Sequence, residues 1–336
     1  MVSRAVLIRA PLRIDFCGGF TDVPEIASSL GTAIVNAAVD LYEDPERKRP
    51  LEFAAELLPE GARSPVAANS DESLLAKFSE YLEHGMDARR CIFIRRDLPV
   101  STGLGSSGTL SVMLIGAWLD YRHQRWCPAG IAAKARDFEC RFLGLKGGYQ
   151  DYLSAAAGGY HRFNEEPGDP RPRVLRGRLP ACFARYLNHA TIVIVAPRPY
   201  PSARIIADLV ARLASDTDLR QRLSAIKACN EACARAIEAA DLAAALRIVG
   251  EAAELRRDIS PYGSNPTLDT VREELRSLYR AAHDSGAGGG SLIIYAREEA
   301  LEALHCRVAE LRNDLGVKIF FPKYNTRGLR MTPVAP

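Results

Sequence analysis

The chain is poor in lysine. Only 7 of its 44 basic residues are Lys and the other 37 are Arg. Such a skew is read as compositional bias toward Arg and Ala rather than as a built anion surface. A basic surplus is missing too, since 44 basic residues face 41 acidic ones for a net charge of +3. Dedicated nucleic-acid binding usually shows as such a surplus and is excluded here. The eight cysteines are scattered, with no CxxC pair and no His at metal-ligand spacing, so a zinc site is not expected. Dispersed thiols read as reduced side chains of a cytoplasmic protein. No stretch reaches the eighteen or so consecutive apolar residues that a membrane span needs. The N-terminal segment lacks the long apolar core of a signal peptide, because Arg4, Arg9, Arg13 and Asp15 interrupt it.

What is present is ordinary globular composition, 47% hydrophobic and 25% charged. A length of 336 residues predicts two domains. Residues 5–17 read as one strand ending at Gly18-Gly19, followed by strands over Thr32–Tyr42 and near 51–58. Helical spacing appears over 72–84, a short strand over Cys91–Arg96, and a buried helix over 109–121. Pro128 predicts the first helical position of a helix reaching about Leu143. A short helix over 151–157 is stopped by Gly158-Gly159. The polar, Pro-rich segment 164–180 marks the expected boundary between a domain of residues 1–178 and one of 179–336. Beyond it come a strand at Thr191–Ala196, helices over 203–258 and 267–283, a strand at 291–296 and a helix at 298–314. Short strands near 317–321 and 328–332 complete an α+β pattern without βαβ regularity.

The sharpest local feature is PVSTGLGSSG, residues 99–108, which opens into a helix. Glycines let the backbone approach a ligand closely, and a helix start offers unpaired N–H groups and a positive dipole end. Ser106 and Ser107 add hydroxyls. Together these form an anion cradle; a plain helix-capping turn is the bland alternative. The spacing also satisfies GxGxxG, but the acidic residue of a dinucleotide site should stand about 20 residues on at a strand end, and Asp120 comes early, inside a helix. GxxxxGK[ST] is absent, which excludes a P-loop NTPase. A second glycine cluster, SGAGGG at 285–290, precedes the strand SLIIYA. Alone it reads as a turn.

Three segments in order change that reading: APLR at 10–13 with GGFTD at 18–22, the serine loop, and Gly286–Gly290. A fourth, GGYQD at 147–151 followed by AAAGG at 155–159, joins them. The chain resembles the GHMP kinase superfamily over nearly its whole length, most of all its sugar-1-kinases of the D-glycero-D-manno-heptose 7-phosphate kinase type. The resemblance implies an N-terminal domain of the ribosomal protein S5 domain 2-like kind and a ferredoxin-like C-terminal one, with the active site in the cleft between them. It implies an ATP- and Mg²⁺-dependent kinase acting on the hydroxyl, presumed anomeric, of a sugar or sugar phosphate, with no nucleic-acid or membrane partner.

Residue by residue, the resemblance implies that Gly103, Leu104, Gly105, Ser106, Ser107 and Gly108 wrap the ATP phosphates. Ser107 and Glu139 would hold Mg²⁺, although Glu139 could equally be a surface residue beside Arg136 and Arg141. Asp151 is the expected catalytic aspartate, taking the proton of the attacking hydroxyl, or else a cap of the helix after it. Arg13 would be the cation beside it. Gly19, Thr21, Asp22, Gly288 and Gly289 are implied substrate contacts, with Asp22 accepting hydrogen bonds from vicinal hydroxyls; Thr21 could instead cap the helix after Val23. Phe20 stands where these kinases carry a third glycine, which would narrow the sugar pocket. His283 stands near a usual Lys, and Ser291 where another Gly is usual. Arg204 is a surface residue or a contact for a substrate phosphate. Two competing readings keep less of this pattern: a sugar and ATP sensor on the same fold, which should have lost the acidic residues, and a nicotinamide-dependent dehydrogenase resting on the lone GxGxxG.

Overall fold

The computed structural model describes residues 5–59, 71–82, 86–99, 101–168, 173–200, 202–257, 259–263 and 265–334. The expected strand over 5–17 is two strands, because Pro11 has no N–H for a ladder and breaks the run. β1 (Val6–Arg9) and β2 (Leu12–Asp15) are followed by α1 (Pro24–Leu30), β3 (Thr32–Tyr42), β4 (Phe53–Leu57), α2 (Glu72–Tyr81), α3 (Ala88–Cys91) and β5 (Ile92–Arg96). The serine loop then leads into α4 (Ser106–Tyr121), α5 (Pro128–Arg136), α6 (Gln150–Ala157), β6 (Tyr160–Glu165) and β7 (Arg173–Gly177). The rest comprises α7 (Ala181–His189), β8 (Thr191–Val195), α8 (Ser202–Arg212), α9 (Thr217–Glu238), α10 (Leu242–Arg256), α11 (Pro266–Glu274), β9 (Tyr279–Asp284), β10 (Ser291–Ala296), α12 (Leu301–Leu315), β11 (Lys318–Tyr324) and β12 (Arg330–Pro333).

Two sheets organise these elements. One has the order β12-β1-β4-β5, and the other β7-β6-β3-β11-β8-β10-β9 with β2 paired to β3. The fold is α+β. Strands from both sides of residue 178 share the larger sheet through the antiparallel β3–β11 pair, and β12 returns to pair with β1. Part of the Pro-rich segment is in the sheet: β6 and β7 pair antiparallel at its edge, and residues 169–172 lie outside the described part. Helix α4 is buried almost all round, which its near-continuous apolar sequence requires, and packs on α5, α6 and β4.

Residues 275–283 also depart from expectation. Their Arg, Leu and Ala content favours a helix, yet Tyr279–Asp284 is an edge strand paired antiparallel with β10. Pairing with the fully buried β10 outweighs local propensity, as sheet context commonly does. The helix begun at Pro128 continues as a π-helical turn over Asp137–Phe142, with the Leu143 N–H bonded to the Phe138 carbonyl five residues back. Such turns recur at functional sites, and this one carries Glu139. No helix among the described residues is long and apolar enough to cross a membrane.

Candidate active site

Strand β2 alternates, so Arg13 and Asp15 fall on one face, and both are buried. Arg13 lies beneath the serine loop, where its own N–H bonds the Leu104 carbonyl. Its Nε donates to Asp151 Oδ1 at 2.8 Å, and its Nη1 to Asp15 Oδ1 at 2.9 Å and to the Gly103 carbonyl at 2.5 Å. The loop turns through Gly103 at φ 76° and Gly105 at φ 74°, a left-handed path that glycine takes without strain. At Gly103 a Cβ would also collide with the Ser285 carbonyl, so the two glycine loops touch backbone to backbone.

Asp151 is the second residue of α6, not its cap. A carboxylate from elsewhere serves the helix start: Asp22 Oδ2 accepts the Tyr149 N–H at 3.0 Å and the Gln150 N–H at 3.3 Å. Gly148 permits this approach, since a Cβ there would overlap the Asp22 carboxylate. The Asp151 side chain is 32% exposed against 5% for Arg13, so of the two the aspartate is the more open to the cleft.

Burial first, and the charge of Asp151 second, push the Asp22 carboxyl up to about 7 against the opposing pull of the Gln150 N–H and Arg13. Below about pH 4 this group is protonated in folded and unfolded chains alike. Between there and about 7 only the unfolded chain ionises it, so the fold loses stability as pH rises through that window. Asp22→Asn is therefore expected to gain thermal stability over the native chain from about pH 4 to 7, with a constant gain above. Melting curves at both ends of the window check this; a gain independent of pH would contradict it.

Glu139 is 6% exposed, held inward by the π-helical turn. Its Oε1 accepts from Ser107 Oγ at 2.5 Å and Ser111 Oγ at 2.9 Å, and its Oε2 from the Tyr152 hydroxyl at 2.6 Å. Burial raises its carboxyl above the usual range despite these three donors. Arg136 and Arg141 do not pair with it: Arg136 stacks on Tyr149, and Arg141 bonds Asp137.

These groups line one cleft of about 410 Å³. Its lining includes Gly103, Gly105, Ser106, Ser107, Glu139, Arg13 and Asp151, together with Asp71, Leu74, Arg96 and Leu110 and with Gly19, Asp22, Lys146, Gly148, Gly286 and Ala287. Several expected contacts are elsewhere. Leu104 is core, and Gly108 packs on Asp151 and Tyr152 without lining the cleft. The Thr21 hydroxyl is engaged by Thr32 at 2.8 Å inside the protein and neither caps α1 nor meets the cleft. Gly288 packs on Gly263 and Gly289 on Tyr200, which leaves Gly286 and Ala287 to face the site. Phe20 is buried in a satellite core with Val23, Ile26 and Ile205 and does not narrow the pocket. His283 is buried against Tyr295, Arg204 lies over the Tyr262 ring, and the Ser291 hydroxyl donates to the Thr102 carbonyl at 2.7 Å. Residues 60–70 lie outside the described part.

Sequence reasoning missed Asp15, Ser111 and Ser285. Two faint signals could have found the first two: alternation with Arg13 for Asp15, and a helical i, i+4 step from Ser107 for Ser111. A larger groove of about 860 Å³ lies between α10, α11 and β9, but several of the guanidiniums lining it are ion-paired, as Arg272 is with Asp269 and Asp284. It lacks the anion-binding loop.

Residues 71–159 match the family model of the GHMP kinases N terminal domain. Over that segment the chain is similar to the N-terminal domain of the GHMP kinases. A D-glycero-alpha-D-manno-heptose 7-phosphate kinase of Campylobacter jejuni is 23% identical over 303 residues, covering 85% of both chains. A solved structure from Campylobacter jejuni, named a putative sugar kinase, superposes with a TM-score of 0.72 at 19% identity, covering 99% of this chain and 100% of the other. A D-glycero-D-manno-heptose 1-phosphate kinase from Bacteroides thetaiotaomicron gives 0.69 at 18% identity, covering 98% and 100%. The likeness of fold to these two structures thus extends well beyond the matched segment and takes in both sheets.

Proposed function

We propose that this GHMP kinase-fold protein transfers the γ-phosphoryl group of ATP to a hydroxyl, the anomeric one, of a sugar or sugar phosphate such as a heptose 7-phosphate. The observation that carries the reading is the convergence of Asp151, Arg13, Glu139 and the serine loop on one cleft. The loop from Gly103 to Ser107 and the start of α4 suit the nucleotide phosphates. Asp22, Gly19 and Lys146, the last ion-paired with Glu25, line the same cleft, and this is the end we assign to the acceptor.

Ser107 and Glu139 fit Mg²⁺: both offer hard oxygen donors, and Glu139 is a buried carboxylate whose surrounding hydroxyls can yield to a cation. No cluster of three or more His, Cys, Asp or Glu among the described residues could hold a metal alone. That suits an ion which takes few protein carboxylates and completes its shell with phosphates and water. When bound, Mg²⁺ neutralises charge on the transferring phosphates.

The chain's own groups do the rest. Asp151 keeps one oxygen on Arg13, and its Oδ2 has no hydrogen-bond partner among the described residues. That oxygen accepts the acceptor's hydroxyl proton as the hydroxyl oxygen bonds to the γ-phosphorus. The bond from that phosphorus to the bridging oxygen breaks, and ADP leaves with the electron pair. Positioning outweighs base strength in so loose a transition state. A sensor reading would require the acidic residues to be lost, and they are present at the cleft. An assay of ADP release over free sugars and sugar phosphates, with Mg²⁺, tests the proposal: at least one polyol should be turned over and acquire a phosphate. Absence of transfer to every sugar at high enzyme concentration would overturn it.

A further inference from the structure

Asp15 gathers partners from segments far apart in the chain. Its carboxylate is fully buried on β2. Oδ1 accepts from Arg13 Nη1 at 2.9 Å, from Ser285 Oγ at 3.1 Å and from the Gly286 N–H at 2.8 Å. Oδ2 has no hydrogen-bond partner among the described residues, and Arg256 Nη1 stands 3.9 Å away. Arg256, in the last turn of α10, is itself buried. It donates to the Asp284 carbonyl at 2.6 Å and the Gly286 carbonyl at 2.5 Å, and its guanidinium lies 5.3 Å from the Phe20 ring centre. It also packs on Gly18, at the turn that leads to the acceptor end of the cleft.

A buried carboxylate is costly unless paired and hydrogen-bonded. Burial alone would raise the Asp15 carboxyl, yet the charge of Arg13, followed by His283 and Arg256, holds it below the usual range. The anion is thus retained between two guanidiniums, and one of these is the group that grips Asp151. An arginine held only by its Nε contact could roll about that bond. Asp15 and the Gly103 carbonyl together pin Nη1 and so fix the plane of the fork.

We propose that Asp15 and Arg256 are positioning residues for phosphoryl transfer. Asp15 sets the orientation of the Arg13 guanidinium on Asp151, and Arg256 seats the Asp284–Gly286 turn so that the Gly286 N–H stays on Asp15. Neither touches the reacting atoms. The proposal rests on the sugar-kinase reading, and it explains why a strand at the start of the chain and a loop near its end meet at one carboxylate.

Asp15→Asn keeps the shape and can still accept the Gly286 N–H, but it loses the charge. Its kcat is expected to fall roughly 100-fold, the cost of a small misplacement of reacting groups, with little change in KM for ATP. The Arg13 Nε–H resonance, followed by ¹⁵N NMR of the whole protein, should lose protection against solvent exchange. Arg256→Lys, which keeps the charge but cannot span both carbonyls, should show a smaller loss of the same kind; it also serves if Asp15→Asn does not fold. A lowered melting temperature with kcat and Arg13 Nε–H protection unchanged would make both residues merely structural and overturn the proposal. If the native chain phosphorylates no acceptor, the kinase reading falls, and the exchange comparison still decides whether Asp15 orients Arg13.

Discussion

Asp151→Asn is expected to lower kcat by about three orders of magnitude, within the range that a positioned general base supplies. The ATP dissociation constant should stay nearly unchanged. The amide has the size of the carboxylate, and its oxygen can still accept from Arg13 Nε, so α6 and the serine loop have no reason to move. What disappears is the proton acceptor and the negative charge at the member of the pair more open to the cleft. Steady-state kinetics combined with ATP titration separate the two effects. A variant retaining more than a tenth of the native kcat would remove Asp151 from proton transfer and leave it a place in acceptor binding at most.

Gly148→Ala should be strongly damaging for a single-methyl change in the cleft. The added Cβ would overlap the Asp22 carboxylate, which caps α6 by accepting the Tyr149 and Gln150 N–H groups. Either Asp22 swings away and the helix carrying Asp151 loses its cap, or the loop before α6 is displaced. Both routes misplace the acceptor relative to Asp151, and kcat/KM for the acceptor should fall about 100-fold or more. Overpacking of this kind also costs about 1–3 kcal/mol of stability. The serine loop lies on other elements, so ATP affinity should persist. Native acceptor kinetics together with a native melting temperature would show that the space at Gly148 is not needed.

The contrast between Asp22 and Asp151 shows how far the sequence could be read. Both lie in short glycine-flanked segments, and both are identifiable as acids of a phosphate-transfer site. Their division of labour is not visible there. The sequence offers Asp151 as a cap of its own helix, whereas Asp22 caps it from 128 residues away. Glu139 is similar. Its position before Asp151 can be read, but its burial depends on a π-helical turn that no residue pattern over 128–143 announces. Thr21, Gly288 and Gly289 belong to the right segments and face the wrong way, because a turn's direction is set by what packs beneath it.

By itself the sequence determined what local chemistry can encode. Glycine spacing and a following apolar run specify an anion-binding loop on a buried helix. The tertiary structure alone decided which distant groups meet. It made 279–284 a strand through pairing with β10, joined strands from both sides of residue 178 in one sheet, and brought Ser285, Gly286 and Arg256 to Asp15. The reason is range. Helix starts and turns are settled within a few residues, whereas a strand pairing or a buried ion pair gains its free energy from a partner whose sequence separation leaves no local trace.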